Sequence, residues 1–294
     1  MTTRREILHN TVLFGTTVLF GSQLLTPASA QEEPNSQNKT YADILGWKIG
    51  PQIYSFNRFP FDEAVKKVRA CGVAGFELFS GQKLSKEIDV KVGPDLLKPE
   101  NKNAFKQFRE LLAENECVPH AMGVCPGNRE HFEFAAAAGI SVLNCEPAFN
   151  QLAEINKLAE EYRISVGLHN HPKPSIYWDP QTVLDQLKDC STRIGACCDT
   201  GHWYRSGLDP LECVKKFKGR IVSFHIKDLN EDKRDIPLGK GVCKIGDILK
   251  ECAAQRVNAP FSIEYESDWD NNQPLVAEGI RFFRQTAKNI VLES

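Results

Sequence analysis

The sequence lacks an excess of either charge: 36 Lys and Arg stand against 38 Asp and Glu, for a formal net charge of -2. This balance removes the broad basic field that phosphate-backbone binding requires, so no nucleic-acid partner is expected. Past the first thirty residues no apolar run approaches the roughly 18 residues of a membrane span, which excludes stable membrane insertion once a leader has been removed. None of the ten cysteines forms a CxxC pair, and without a thiolate cluster a structural zinc site is not expected. Cys145, Cys197 and Cys198 sit inside apolar, strand-like runs of a chain large enough to fold without staples, so mostly buried thiols are expected. No Gly-, Pro- or Ser-rich stretch breaks the chain after Tyr41, which leaves a single domain.

What is present begins with a targeting pattern. Thr3-Arg4-Arg5 precedes a moderately apolar run over residues 11–25, and Ala28-Ser29-Ala30 follows as a small-residue cleavage site. The arginine pair resembles a twin-arginine signal, which implies export of an already folded protein, with the periplasm as its expected location. Residues 1–30 are thus read as signal peptide and 31–44 as a polar N-terminal linker, with the folded unit over 45–294.

From about Gly46 onward, β-rich runs alternate with helical patterns, the arrangement of βαβ units around a parallel sheet. The runs cover residues 51–56, 75–79, 118–124, 141–145, 165–169, 193–199, 220–225 and 261–266. Between them, Asp62 is read as the cap of a helix carrying Ala64, Val65 and Val68, and Asp209-Pro210 as an N-cap with a first-turn proline. Val276, Ile280, Phe283, Ala287 and Ile290 form one stripe of a closing helix. Eight such units favour a (β/α)8 TIM barrel over an open doubly wound sheet.

Five successive runs end in ionisable residues. The fourth ends at Glu146; the fifth at His169 and His171; the sixth at Asp199 and His202; the seventh at His225, Lys227 and Asp228; the eighth at Glu264 and Glu266. In a parallel barrel these ends share one rim. Residues two apart on a strand face one way, which pairs His169 with His171, His225 with Lys227 and Glu264 with Glu266. Any one of them could be a helix cap or a satisfied loop residue, but burying the whole set without a cation would be costly. An oxygen-rich donor set with one imidazole suits Mn²⁺ or Mg²⁺, with Zn²⁺ or Co²⁺ as alternatives.

With LHNHP, CDTGHW, SFHIKD, the Leu238-Gly239-Lys240-Gly241 turn and SIEYE in this order, and IYSF and GFELF (Glu77) before them, the chain resembles the xylose-isomerase-like TIM-barrel superfamily. Sugar epimerases, inosose dehydratase, keto-sugar lyases and the endonuclease IV branch belong to it. The resemblance implies Glu146, Asp199, His225 and Glu264 as metal ligands, with His169 or His171 as further candidates and Glu266 as an alternative to Glu264. It departs at the fifth run, where many relatives place a ligating glutamate and this chain has His169.

The function so implied is isomerisation, epimerisation or lyase chemistry on a small sugar or keto-sugar, by proton abstraction next to a carbonyl. Glu146, Glu264 or His171 would move the proton, His202 and Lys227 would orient hydroxyls or donate to an oxyanion, and Trp203 and Phe56 would pack on the sugar. The alternatives are a metal-dependent hydrolase of the endonuclease IV type and a non-catalytic sugar-binding protein. The Gly239-Lys240-Gly241 turn is either an anion cradle or a tight loop.

Overall fold

The computed structural model describes residues 40–294. The signal reading of 1–30 and most of the proposed linker lie outside the described residues. Residues 41–44, at the linker's end, instead form a helical turn, Tyr41–Ile44, held by a reciprocal capping box between Thr40 and Asp43 and burying Ala42.

Eight parallel strands follow one another around a nearly closed barrel: β1 Lys48–Pro51, β2 Gly75–Leu78, β3 Val118–Cys125, β4 Val142–Cys145, β5 Ser165–His169, β6 Ile194–Asp199, β7 Ile221–Ile226 and β8 Pro260–Ile263. Helices lie between them, as the fold class requires. Between β1 and β2 the ring closes by an isolated parallel bridge, Gln52 to Glu77. Close approach there needs Gly50, because a Cβ at that position would lie 1.9 Å from the Gly75 carbonyl oxygen.

The strands match the sequence reading except at the first and last. Residues 53–56 are a 3-10 turn, Ile53–Phe56, and the strand lies just before it. The eighth strand stops at Ile263, so Glu264 and Glu266 sit on the segment leaving it. Helix Phe61–Ala70 starts from Pro60 without a side-chain cap, and Asp62 occupies its first turn rather than capping it. Asp209 does cap Pro210–Lys216, accepting from Leu211 N at 2.9 Å. The final helix, Gln273–Glu293, buries its predicted stripe from Val276 to Ile290. All ten cysteines are free thiols, and only Cys190 is not fully buried. No helix among the described residues is long and apolar enough to cross a membrane.

Candidate metal centre and active site

The sheet register brings three donors together. Asp199, the last residue of β6, pairs with His225 on β7, and His225 pairs with Ser262 on β8, two residues before Glu264. His225 Nδ1 lies 3.2 Å from Glu264 Oε2 and 3.9 Å from Asp199 Oδ2. All three residues are buried. Asp199 divides its work: Oδ1 accepts from His202 N at 2.8 Å, capping helix Thr200–Arg205, while Oδ2 faces the cluster.

Two of these donor atoms are wholly buried: His225 Nδ1 has no hydrogen-bond partner, and Glu264 Oε2 has the Lys227 ammonium at 3.0 Å as its ion-pair partner. The orphaned imidazole nitrogen needs an explanation, since a buried polar atom left unpaired is unfavourable. Oxygen and imidazole lone pairs aimed at one point fit a divalent cation. The electrostatics agree. Burial opposes a charge on His225, yet neighbouring Cys197, Glu77 and Glu264 outweigh it and raise its pKa well above the usual histidine range. The same deficit of positive charge would draw in a metal ion.

Glu146, just past β4, stands apart from that trio. Its Oε1 accepts from His171 N at 2.9 Å, lies 2.7 Å from His169 Nδ1 and also contacts His171 Nδ1, while Oε2 accepts from Ser175 Oγ at 3.2 Å. The His169 ring then reaches on to Asp199, with Nε2 at 3.5 Å from Oδ2 and without a hydrogen-bond partner of its own. The donor nearest the trio on this side is therefore His169 Nε2, and Glu146 lies behind it. Burial pushes the Glu146 carboxyl up, but its bonds to His169 and His171 hold it below the usual carboxylate range. His171 lies beyond the end of β5, so strand alternation does not govern it; it meets His169 through their shared glutamate.

Lys227 is buried among acids. Its Nζ lies 3.0 Å from both Asp199 Oδ2 and Glu264 Oε2, 3.5 Å from Glu266 Oε2 and 3.3 Å from His202 Nε2. Burial alone would lower its pKa, and Asp199, Glu264 and Glu266 raise it well above the ordinary lysine value, so it stays an ammonium. Asp199 and Glu264 in turn stay ionised against the penalty of burial, both through Lys227, with His225 adding to it at Glu264. His202 is held neutral: burial lowers its pKa, and its two nitrogens face Lys227 and Arg205.

Several expected contributors are elsewhere. Phe56 and Trp203 belong to the buried core, Trp203 stacked on Phe217 at 5.9 Å, so neither presents a face to a sugar. Three partly exposed aromatics, Tyr54, Phe79 and Trp269, follow β1, β2 and β8; Tyr54 packs edge-on against Phe79 at 4.8 Å and Trp269 at 5.8 Å. The amides of Gly239 and Gly241 both donate to Asp228 Oδ2 at 2.9 Å, and those of Leu229 and Cys243 to Oδ1 at 3.1 Å. The turn is a loop tied to its own carboxylate, and those amides are not available to a substrate anion.

The sequence reading names Glu77 only within GFELF and misses Asn144 and Arg205; Glu77 and Asn144 are wholly buried on β2 and β4, and Arg205 pairs with Asp235 and Glu266 beside Lys227. The signals were slight: a lone acid in GFEL and a lone amide in VLNC, each inside an apolar run.

Parallel barrels of this kind build their active sites at the C-terminal rim, where this chain gathers acids, imidazoles and one lysine. The chain belongs to the xylose isomerase-like TIM barrel family, whose defining pattern matches residues 65–286. A solved structure of an uncharacterised protein from Parabacteroides distasonis is 30% identical, with a TM-score of 0.66 over 82% of this chain and 99% of that one. A xylose isomerase-like TIM barrel protein from Mycobacterium smegmatis, solved in complex with magnesium, is 15% identical, with a TM-score of 0.63 over 80% of this chain and 91% of that one. An inosose dehydratase from Bacillus thuringiensis is 31% identical over 97 residues, covering 31% of this chain and 32% of the relative. The chain thus spans about a third of the length of that curated relative.

Proposed function

We propose that this chain is an exported, divalent-metal-dependent sugar isomerase, epimerase or keto-sugar lyase that removes a proton from carbon next to a carbonyl. The observation that carries this reading is the convergence of the buried Asp199 Oδ2, His225 Nδ1 and Glu264 Oε2, with His225 Nδ1 left without a hydrogen-bond partner. His169 Nε2, orphaned beside Asp199, is a candidate fourth ligand, in place of Glu146. The magnesium complex of the mycobacterial neighbour supports a hard divalent ion, Mn²⁺ or Mg²⁺, ahead of Zn²⁺ or Co²⁺. When bound, such an ion supplies the positive charge that holds vicinal sugar oxygens and stabilises charge developing on them.

The chain's own residues divide the remaining work by environment. Glu264 is buried, ionised and held by Lys227, which suits a ligand rather than a base. His171 is the mobile proton carrier: its side chain is 47% exposed, and Glu146 takes Nδ1 and leaves Nε2 to exchange a proton with substrate. The hydrogen bond that His171 Nδ1 donates to Glu146 raises the pKa of His171. Lys227 keeps its protons and donates to an oxyanion, neutral His202 holds Lys227 in place, and the Tyr54–Trp269 wall orients the sugar. Loss of a hydroxyl after proton removal would give the dehydratase outcome; return of the proton would give the isomerase or epimerase outcome.

The test is metal analysis of the protein folded in the cytoplasm, followed by NMR in D₂O with a panel of ketoses and oxidised glycosides. Solvent deuterium should appear at the carbon beside the carbonyl only in metal-loaded protein. Saturable sugar binding with neither exchange nor turnover would overturn the enzymatic reading.

A further inference from the structure

The floor beneath the rim is a polar layer rather than the branched aliphatic packing usual inside such barrels. Its centre is Glu77 on β2, fully buried. Glu77 Oε1 accepts from Asn144 Nδ2 at 2.8 Å and Gln52 Nε2 at 3.4 Å, and Oε2 accepts from Ser262 Oγ at 2.6 Å. Across the barrel, Oε1 meets His225 Nε2 at 2.9 Å. Asn144 Oδ1 is in turn held by Ser223 Oγ. Two glycines make room: a Cβ on Gly123 would lie 2.8 Å from Glu77 Oε1, and one on Gly167 would lie 2.5 Å from Asn144 Oδ1.

The chemistry of this contact determines which nitrogen of His225 is free. An ionised carboxylate only accepts hydrogen bonds, so the His225 nitrogen facing Glu77 carries the hydrogen. A neutral ring then has its lone pair on Nδ1, the atom that faces Asp199 Oδ2 and Glu264 Oε2. We infer that Glu77 is a positioning residue: from the opposite wall of the barrel it holds the His225 ring and its tautomer so that Nδ1 is presented to a cation at the rim. Carboxylates that orient ligating histidines in this manner typically change metal affinity by about 10–100-fold when removed. The inference rests on the proposal that the rim binds a divalent ion.

The experiment is calorimetric titration of Mn²⁺ into metal-free wild type, Glu77→Gln, Glu77→Asp and Ser262→Ala, with thermal unfolding of each metal-free protein. Glu77→Gln keeps the shape and removes the charge; Glu77→Asp keeps the charge and withdraws the oxygens from His225. Both should bind Mn²⁺ about 10–100-fold more weakly than wild type. Ser262→Ala, which loses a bond to Glu77 but none to the imidazole, should stay close to wild type. In the Zn²⁺-loaded wild type, ¹⁵N shifts of His225 should show metal on Nδ1 and hydrogen on Nε2. Unchanged affinity in either Glu77 variant that folds, an equal loss in Ser262→Ala, or metal on Nε2 would overturn the inference. A wild type that binds no divalent metal would instead overturn the functional proposal on which it stands.

Discussion

Lys227 Nζ lies 3.0 Å from Asp199 Oδ2, and both groups are buried at the mouth of the barrel. Removing one partner of a buried ion pair leaves an uncompensated charge and typically costs about 3–5 kcal/mol. Lys227→Met should destabilise the metal-free protein by about that amount, and saturating Mn²⁺ should restore part of it, because a second cation can serve the same oxygens. Urea unfolding with and without Mn²⁺ checks both effects.

The two groups of aromatic residues should respond differently to truncation. Trp203→Ala removes a buried ring packed on Phe217 and should lower stability by about 3–5 kcal/mol. Trp269→Ala, at the partly exposed wall with Tyr54, should leave unfolding nearly unchanged and weaken sugar binding several-fold. Parallel denaturation and KM measurements separate them.

Filling the polar floor should disturb both fold and site. A methyl on Gly123 would meet Asn144 Cβ at 2.5 Å as well as Glu77, and overpacking of this kind costs about 1–3 kcal/mol. Gly123→Ala should therefore lower both the midpoint of thermal unfolding and Mn²⁺ affinity, read by calorimetry on one preparation.

Acid sensitivity should arise partly away from the site. Burial lowers the pKa of His120 to about 4. The unfolded chain, with a histidine pKa of about 6.5, takes up the proton first, so the contribution of His120 is full above about pH 6.5 and is lost as the pH falls towards 4. The span corresponds to roughly 3 kcal/mol at most. His120→Leu should flatten the stability profile in that window, as followed by urea midpoints at a series of pH values.

Much of this was legible in the sequence because barrel strands put chemistry at their ends. Apolar runs closing on Asp199 and His225 placed those residues on the rim, and the Asp209-Pro210 signature fixed a helix start. The first strand was obscured because IYSF has a strand-like composition but follows Pro51 and coils into a 3-10 turn. The bond from Glu77 to His225 joins residues 148 apart, so no local periodicity reports it. Trp203 and Phe56 show a similar limit: composition marks an aromatic near a rim, but only packing tells whether its face is covered.

In the proposed site, one cation is shared by β6, β7 and the segment after β8. Anomalous diffraction from crystals grown with Mn²⁺ tests it most directly. A single strong peak in coordination range of Asp199 Oδ2, His225 Nδ1 and Glu264 Oε2, absent in Asp199→Ala, is the predicted result. Full turnover by protein that shows no such peak at saturating Mn²⁺ would contradict it.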